Sequence, residues 1–312
     1  LAVITRLSPN TQLISLPFQD EHGIIGTYVL SGENEVALID PGPSSTYEAL
    51  LSSLREVGIS PGDVTHVLAT HIHLDHAGAI GTILHHMPRA QVYAHSKGVP
   101  HLLDTSKLVA SAQRIYGDRM QTLWGEIESV PKELLHTLEG GDVLNVAGRR
   151  LEVHYTPGHA VHHVIFFDVH NGELFAGDVA GVRLQDSGYV RPPTPPPDLD
   201  LEAWFESIDK IRQLHPDTLY LSHFGPTKYA SQHFDRLREK LISWGDFVLQ
   251  AMRAGKGESE IIEMLIAHAA PELHGSVHDE HDMERYNIAT NYPMTVQGYM
   301  RYWKKRHPER LR

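Results

Sequence analysis

Apolar residues in the first forty positions come in short runs. Residues 12–18, 24–31 and 36–40 are each rich in Val, Ile, Leu and aromatic residues and are separated by Gly, Asn and Glu, which predicts three strands. Pro41, Gly42 and Pro43 close the series. The period then changes. Leu50, Leu51, Leu54 and Val57 recur at helical spacing, so a helix is expected over 46–57 with Gly58 as its stop. An apolar strand follows at 64–70 and runs into His71-Ile72-His73-Leu74-Asp75-His76, after which a helix at 77–87 ends at Pro88. Residues 91–94 read as a further strand.

From 97 to 138 the pattern is helical, with Leu108, Ile115, Tyr116, Met120, Leu123, Trp124 and Ile127 near one stripe. Such a stripe is either a helix face packed on the core or a cap whose aromatic residues meet a substrate. Strands return at 143–146, 150–155, 161–169 and 173–176, with hairpin-type turns at Ala147-Gly148 and Asn171-Gly172. A proline-rich loop covers 191–197, and Asp200 has the position of an N-cap for the amphipathic series Leu201, Trp204, Phe205, Ile208, Ile211. The last strand, 219–222, ends at His223, and helices are predicted at 229–254, 258–269 and 295–305. No repeat or low-complexity linker interrupts the chain. The expected organisation is a main domain at 1–228 with a helical cap insert at about 97–138, and a C-terminal helical extension at 229–312 packed on it.

Composition narrows the chemistry. The chain has 312 residues and a net charge of −12, so it offers no broad basic surface, and nucleic acid is a disfavoured partner. Cysteine is absent, which removes disulfides, thiolate ligands and a cysteine nucleophile; the 23 histidines make a nitrogen- and oxygen-ligated metal site the first hypothesis. No apolar run approaches the ~18 residues of a membrane helix, and residues 1–18 lack a signal-peptide layout. A cytoplasmic protein with a small-molecule substrate is expected, although the chain begins with Leu, which leaves room for a removed leader. A homo-oligomer stays open.

In an extended segment alternate side chains share one side, so His71 and His73 can face one ion while the turn into the helix directs Asp75 and His76 at a second. Three more residues of ligand type stand at strand ends beside Gly or Pro: His159, Asp178 and His223. Two divalent ions in such a set supply a nucleophilic hydroxide and a Lewis acid, and Asp75, bound through one oxygen, is the candidate to orient that hydroxide and take its proton. Residues 181–191 directly follow Asp178, which makes Arg183, Tyr189 and Arg191 candidates for contacting a substrate oxyanion. His274, His278 and His281 are read as a solvated face, and the basic end at Arg301, Lys304, Lys305 and Arg306 as helix C-terminal charge.

The run Thr70-His71-Ile72-His73-Leu74-Asp75-His76-Ala77-Gly78, followed in order by His159, Asp178 and His223, resembles the metallo-β-lactamase superfamily over about residues 11–228. That resemblance implies an α/β fold, an αββα sandwich with the metals at one sheet edge. It implies that His71, His73 and His159 hold one ion, that Asp75, His76 and His223 hold the other, and that Asp178 bridges them. Asp40 and His163 match supporting positions around the ligands. Zn²⁺ is expected first, with Mn²⁺ or Fe²⁺ also suited to these ligands. The stretches Tyr155-Thr156-Pro157-Gly158-His159 and Ala176-Gly177-Asp178 look like the glyoxalase-II-like branch, which includes thioester hydrolases, lactonases and β-lactamase-like-protein-2 type endoribonucleases. The expected activity is dinuclear hydrolysis of an ester, thioester or lactone through a bridging hydroxide. The alternatives are a phosphodiesterase or endoribonuclease of the same fold, a mononuclear iron persulfide dioxygenase and, last, a metal-binding module without activity.

Overall fold

The computed structural model describes residues 2–184 and 188–312. One sheet runs β1 to β7 in sequence order: Val3–Ser8, Thr11–Phe18, Glu21–Ser31, Val36–Ile39, Val64–Leu68, Gln91–His95 and Leu135–Leu138. Its first four strands pair antiparallel and the remaining pairings are parallel. The second sheet, in the order β13-β12-β11-β10-β9-β8, contains β8 (Val143–Val146), β9 (Arg149–Tyr155), β10 (Val164–Asp168), β11 (Glu173–Phe175), β12 (Thr218–Leu221) and β13 (Gly225–Thr227). Only its β11–β12 pair is parallel.

Three apolar clusters make this a four-layer α/β sandwich. Leu68 of β5 and Val164 and Phe166 of β10 meet between the sheets. Their sequence neighbours face outward: Val67 and Ala69 pack under α1 (Tyr47–Glu56), α2 (Leu74–Ala77), α3 (Ile80–Leu84), α4 (Val99–Leu103), α5 (Ser106–Tyr116) and α6 (Met120–Trp124). Ile165 and Phe167 pack under α7 (Leu201–Gln213), α8 (Ala230–Arg253), α9 (Glu258–Ser276) and α11 (Tyr292–Arg306). Strands buried on both faces carry near-continuous apolar runs, as β4 does. The remaining helix, α10 (Glu280–Ala289), reaches across to the first sheet, where Arg285 donates to the His22 carbonyl and His281 pairs with Glu21 at 3.0 Å.

Several expectations need correction. The 97–138 segment is not helical throughout: positive φ at Gly117 and Gly125 breaks it into α5, a short 3-10 turn and α6, and residues 135–138 are strand β7, pairing in parallel with β6. A four-residue strand behind Pro131 is too short to show a period of two. The helix expected at 77–87 begins earlier and is split into α2 and α3 around Gly78 and Ala79. Strand β1, half-exposed at the sheet edge, and helix α10 have no counterpart among the expected elements, because neither has a long apolar face. His274 and His281 are exposed, and His278 is exposed between the two helices.

Candidate metal centre

Each expected ligand, and the expected supporting residue Asp40, stands near a strand end of the sandwich. Asp40 follows β4, His71 to His76 follow β5, His159 precedes β10, Asp178 follows β11 and His223 follows β12. Gly177 lets the Asp178 turn come close: its φ is +51°, and a Cβ there would lie 2.6 Å from Oγ1 of Thr70 and 2.7 Å from Nε2 of His163. Gly158 does the same for the His159 turn, with a Cβ reaching 2.4 Å from the Trp204 backbone.

Nε2 of His71 and Nε2 of His159 lie 3.1 and 2.9 Å from Nδ1 of His73, forming one three-nitrogen group. Nε2 of His223 lies 3.2 Å from Nε2 of His76 and 3.3 Å from Oδ2 of Asp75, forming a second. Asp178 stands between the two groups, with Oδ2 3.4 Å from His159 and Oδ1 3.2 Å from His76 and 3.5 Å from His223. Oδ1 of Asp178 is buried and accepts no hydrogen bond among the described residues. A buried carboxylate oxygen facing lone-pair nitrogens fits a cation, and the all-nitrogen-and-oxygen donor set fits a divalent transition metal.

The second ring nitrogens show how the donors are aimed. Nδ1–H of His223 donates to the Ile24 carbonyl at 2.7 Å, and Nδ1–H of His159 donates to the Pro193 carbonyl at 2.8 Å. Asp40, 1 % exposed, organises the rest. Its Oδ2 accepts from Nδ1 of His76 (2.9 Å), the Thr70 hydroxyl (2.8 Å) and the Ser222 hydroxyl (2.9 Å), while Oδ1 accepts from the Thr70 amide (2.8 Å). Thr70 Oγ1, donating to Asp40, is 3.1 Å from Nδ1 of His71 and accepts from it. Four of the histidines expected as ligands therefore carry their proton on Nδ1 and present Nε2 to the centre. His163 belongs to neither group: its Nε2 accepts from the amides of Asp178 (3.1 Å) and Val179 (3.3 Å), so it positions the intervening carboxylate through the backbone.

Burial pushes the pKa of His71, His73 and His163 below the ordinary histidine value and lowers His159 to about 4, leaving these rings neutral. Burial also opposes charge on His76, but Asp178, Asp75 and Asp40 outweigh it and raise that ring well above its usual value. Burial raises Asp75 as well, yet His76 and His223 outweigh it and bring it down to about 2.

The centre forms the floor of a cavity of about 700 Å³. Tyr116 and Trp124, at the ends of α5 and α6, line one side, so the 97–138 segment supplies both core packing and a pocket wall. Tyr189 and Arg183, expected at the substrate, do not line this cavity. Tyr189 is 1 % exposed and packs edge-on to Tyr286, and the Arg183 backbone pairs with His223 and Phe224. The middle of that loop, 185–187, lies outside the described residues. Arg191 also faces away, into a bed of aromatic rings behind the pocket. Two features escape sequence reasoning. His162 stacks on His71 and accepts from the Ile72 amide at 3.4 Å, signalled only by its position next to His163. Residues 287–294 form the second pocket wall, and no local pattern announces that role.

A model of the metallo-beta-lactamase superfamily matches residues 23–223. The metallo-beta-lactamase fold-containing protein ST1585 of Sulfurisphaera tokodaii is 30% identical over 224 residues, 70% of this chain and 80% of that protein. A hydroxyacylglutathione hydrolase of Salmonella paratyphi A is 27% identical over 209 residues, 66% of this chain and 63% of its own length. Among solved structures, the metallo-beta-lactamase family protein TTHA1429 from Thermus thermophilus superposes with a TM-score of 0.69 over 96% of this chain and 95% of its own. At 23% identity that is a likeness of fold, and its coverage takes in the C-terminal helices.

Proposed function

The chain belongs to the metallo-β-lactamase superfamily, and on that premise we propose that it is a dinuclear metal-dependent hydrolase acting on ester, thioester or lactone carbonyls. The observation that carries the reading is the position of Asp178, whose two oxygens face two separate groups of donors. His71, His73 and His159 would hold one ion; Asp75, His76 and His223 would hold the second. Zn²⁺ is the first choice, with Mn²⁺ and Fe²⁺ also compatible with the donors. Two ions, when bound there, would supply a nucleophile at neutral pH and polarise the scissile carbonyl.

The chain's own residues do the rest. Asp75, ionised at neutral pH and facing His223 through Oδ2, keeps a second oxygen to accept a proton from the attacking water. Asp40 and His163 hold the ligand rings and the Asp178 turn in place, so little reorganisation is left for the reaction. The catalytic domain in this reading is 1–228, and the extension 229–312 completes its pocket. The relation to hydroxyacylglutathione hydrolases supports carbonyl chemistry, as does the largely apolar cavity. Among the described residues no helix is long and apolar enough to cross a membrane.

The test is a panel of lactone, thioester, phosphodiester and β-lactam substrates, run on protein whose metal content has been measured. About two ions per chain with turnover of a carbonyl substrate is the expected result. Faster turnover of phosphodiesters would give the activity to a phosphodiesterase or endoribonuclease. One iron with oxygen uptake on a persulfide would give it to a dioxygenase.

A further inference from the structure

The cavity above the metal centre has two walls from distant parts of the chain. Leu108, Tyr116 and Trp124 of the cap form one; Ile288, Pro293 and Met294, where α10 turns into α11, form the other. The walls meet where the Tyr116 hydroxyl lies 3.7 Å from Sδ of Met294. Cationic side chains between them are sparse, although Glu284 also lines the cavity. Among the described residues that line the cavity, Arg119 is the only Lys or Arg, and it is exposed and donates to Gln19 at 2.9 Å. A phosphate or carboxylate on a carrier thiol would find no built cationic partner there, since anion recognition calls for clustered Arg or Lys or amide donors.

We propose that this site takes acyl compounds with an extended, uncharged apolar arm, and that the arm lies between the cap and the 287–294 wall. The proposal rests on the hydrolase reading for the identity of the floor, but the walls are argued from their own chemistry. A volume of about 700 Å³ is that of a drug-sized ligand and exceeds the needs of a two-carbon acyl group. The apolar side chains of the two walls let methylenes of the arm leave water where Leu108, Tyr116 and Trp124 face Ile288, Pro293 and Met294, while Asn287, Thr290 and Asn291 make the rest of the second wall polar. The transfer of one methylene corresponds to about a fourfold gain in kcat/KM.

The second wall is held from behind. Arg191, 1 % exposed, donates to the Tyr286 carbonyl (3.0 Å), Oδ1 of Asn287 (2.9 Å) and the Thr290 carbonyl (3.0 Å), and also to the Tyr292 hydroxyl. At Gly298 a Cβ would stand 1.8 Å from the Thr194 carbonyl, so α11 sits directly against the proline-rich loop that closes the same cavity. A wall tied at several points is a fixed surface on which a chain of defined length can be measured.

The experiment uses the metal-loaded full chain and uncharged esters or N-acyl lactones with acyl arms from two to twelve carbons, beside acetyl- and octanoyl-glutathione. Expected is a rise of roughly fourfold per methylene over the first several carbons, levelling off where the walls end. In Trp124→Ala and Met294→Ser the ratio of long-arm to short-arm kcat/KM should collapse towards that of the shortest pairs. A flat chain-length series with metal-dependent turnover overturns the arm proposal and leaves the hydrolase intact. A preference for the glutathione carriers over the uncharged esters overturns it too. If no carbonyl compound is turned over, the hydrolase reading fails, and the arm proposal is judged by tryptophan fluorescence. Decanamide binding far tighter than acetamide, and weakened in Met294→Ser, sustains the channel. Equal affinities remove it.

Discussion

Nε2 of His76 stands 3.2 Å from Oδ1 of Asp178. The other ring nitrogen of His76 lies 2.9 Å from Oδ2 of Asp40, and a carboxylate there can only accept, so the ring proton is on Nδ1 and Nε2 presents a lone pair to an acceptor. Two lone pairs at that distance need a cation between them. In the metal-free chain a proton serves; in a metal-loaded chain the ion would. Metal uptake at neutral pH should therefore release about one proton or more per chain, which calorimetry in two buffers of different ionisation enthalpy would read. Asp178→Asn should lower the metal content below two ions per chain and reduce kcat by more than ~100-fold with the fold intact by circular dichroism. Uptake without proton release, or full metal content in the variant, contradicts this account of the centre.

Asp40 is the second lever. It touches no reacting group, yet it fixes His76 directly, His71 through Thr70, and the strand end before His223 through Ser222. Asp40→Ala should weaken metal affinity or activity by about 10–100-fold, measured by chelator competition. Excess metal should restore part of the activity in Asp40→Ala and little in His71→Ala, which lacks a donor.

The side chains that could hold a metal were legible in the sequence as residues of ligand type at short spacing, His71 to His76, and at strand ends, His159, Asp178 and His223, and the structure brings them together. The sandwich was legible only through the family resemblance: β10 is apolar and buried on both faces, so its sequence does not state which side chains face which layer. The pocket walls were not. Tyr189 follows a ligand closely in sequence but turns towards Tyr286, whereas Met294, 116 residues past Asp178, arrives beside Tyr116. Which residues meet there depends on how α10 and α11 pack on the sandwich, and local periodicity carries no information about that.

A pH-dependent stability should arise at His233, on α8, outside the ligand set. Burial lowers its pKa to about 4; the hydrogen bond from Nε2 to the Ala180 carbonyl at 2.6 Å works in the opposite direction, and Arg183 and Arg236 lower it further. The unfolded ring titrates near 6.5, so the unfolded state binds the extra proton between about 6.5 and 4. The stability from this group is complete above about pH 6.5 and falls as pH drops towards 4, by about 3 kcal/mol in all. His233→Gln, which keeps a donor but does not titrate, should be less stable than the parent at pH 7 and close that gap by pH 4. Urea midpoints in chelator at each pH measure it, and a gap that stays constant would assign the acid sensitivity to other groups.

Arg191 should act on the substrate from behind the wall. Its guanidinium holds two carbonyls and an amide oxygen of the 286–290 segment, and it is surrounded by the rings of Tyr189, Trp244, Tyr286 and Tyr292. Arg191→Met keeps an apolar side chain among those rings but leaves buried acceptors unpaired, a change of about 2–4 kcal/mol in a urea unfolding experiment. Arg191→Lys keeps the charge but cannot fork to the same acceptors, so it should recover only part of that loss. A purely structural role would end there. A positioning role adds a kinetic signature: with the 287–294 wall loosened, KM for a long-arm substrate should rise several-fold while kcat for a short acyl ester changes much less, because the candidate metal-holding residues belong to other segments. Equal losses on long and short substrates would place the effect in the folded scaffold as a whole and not in the wall.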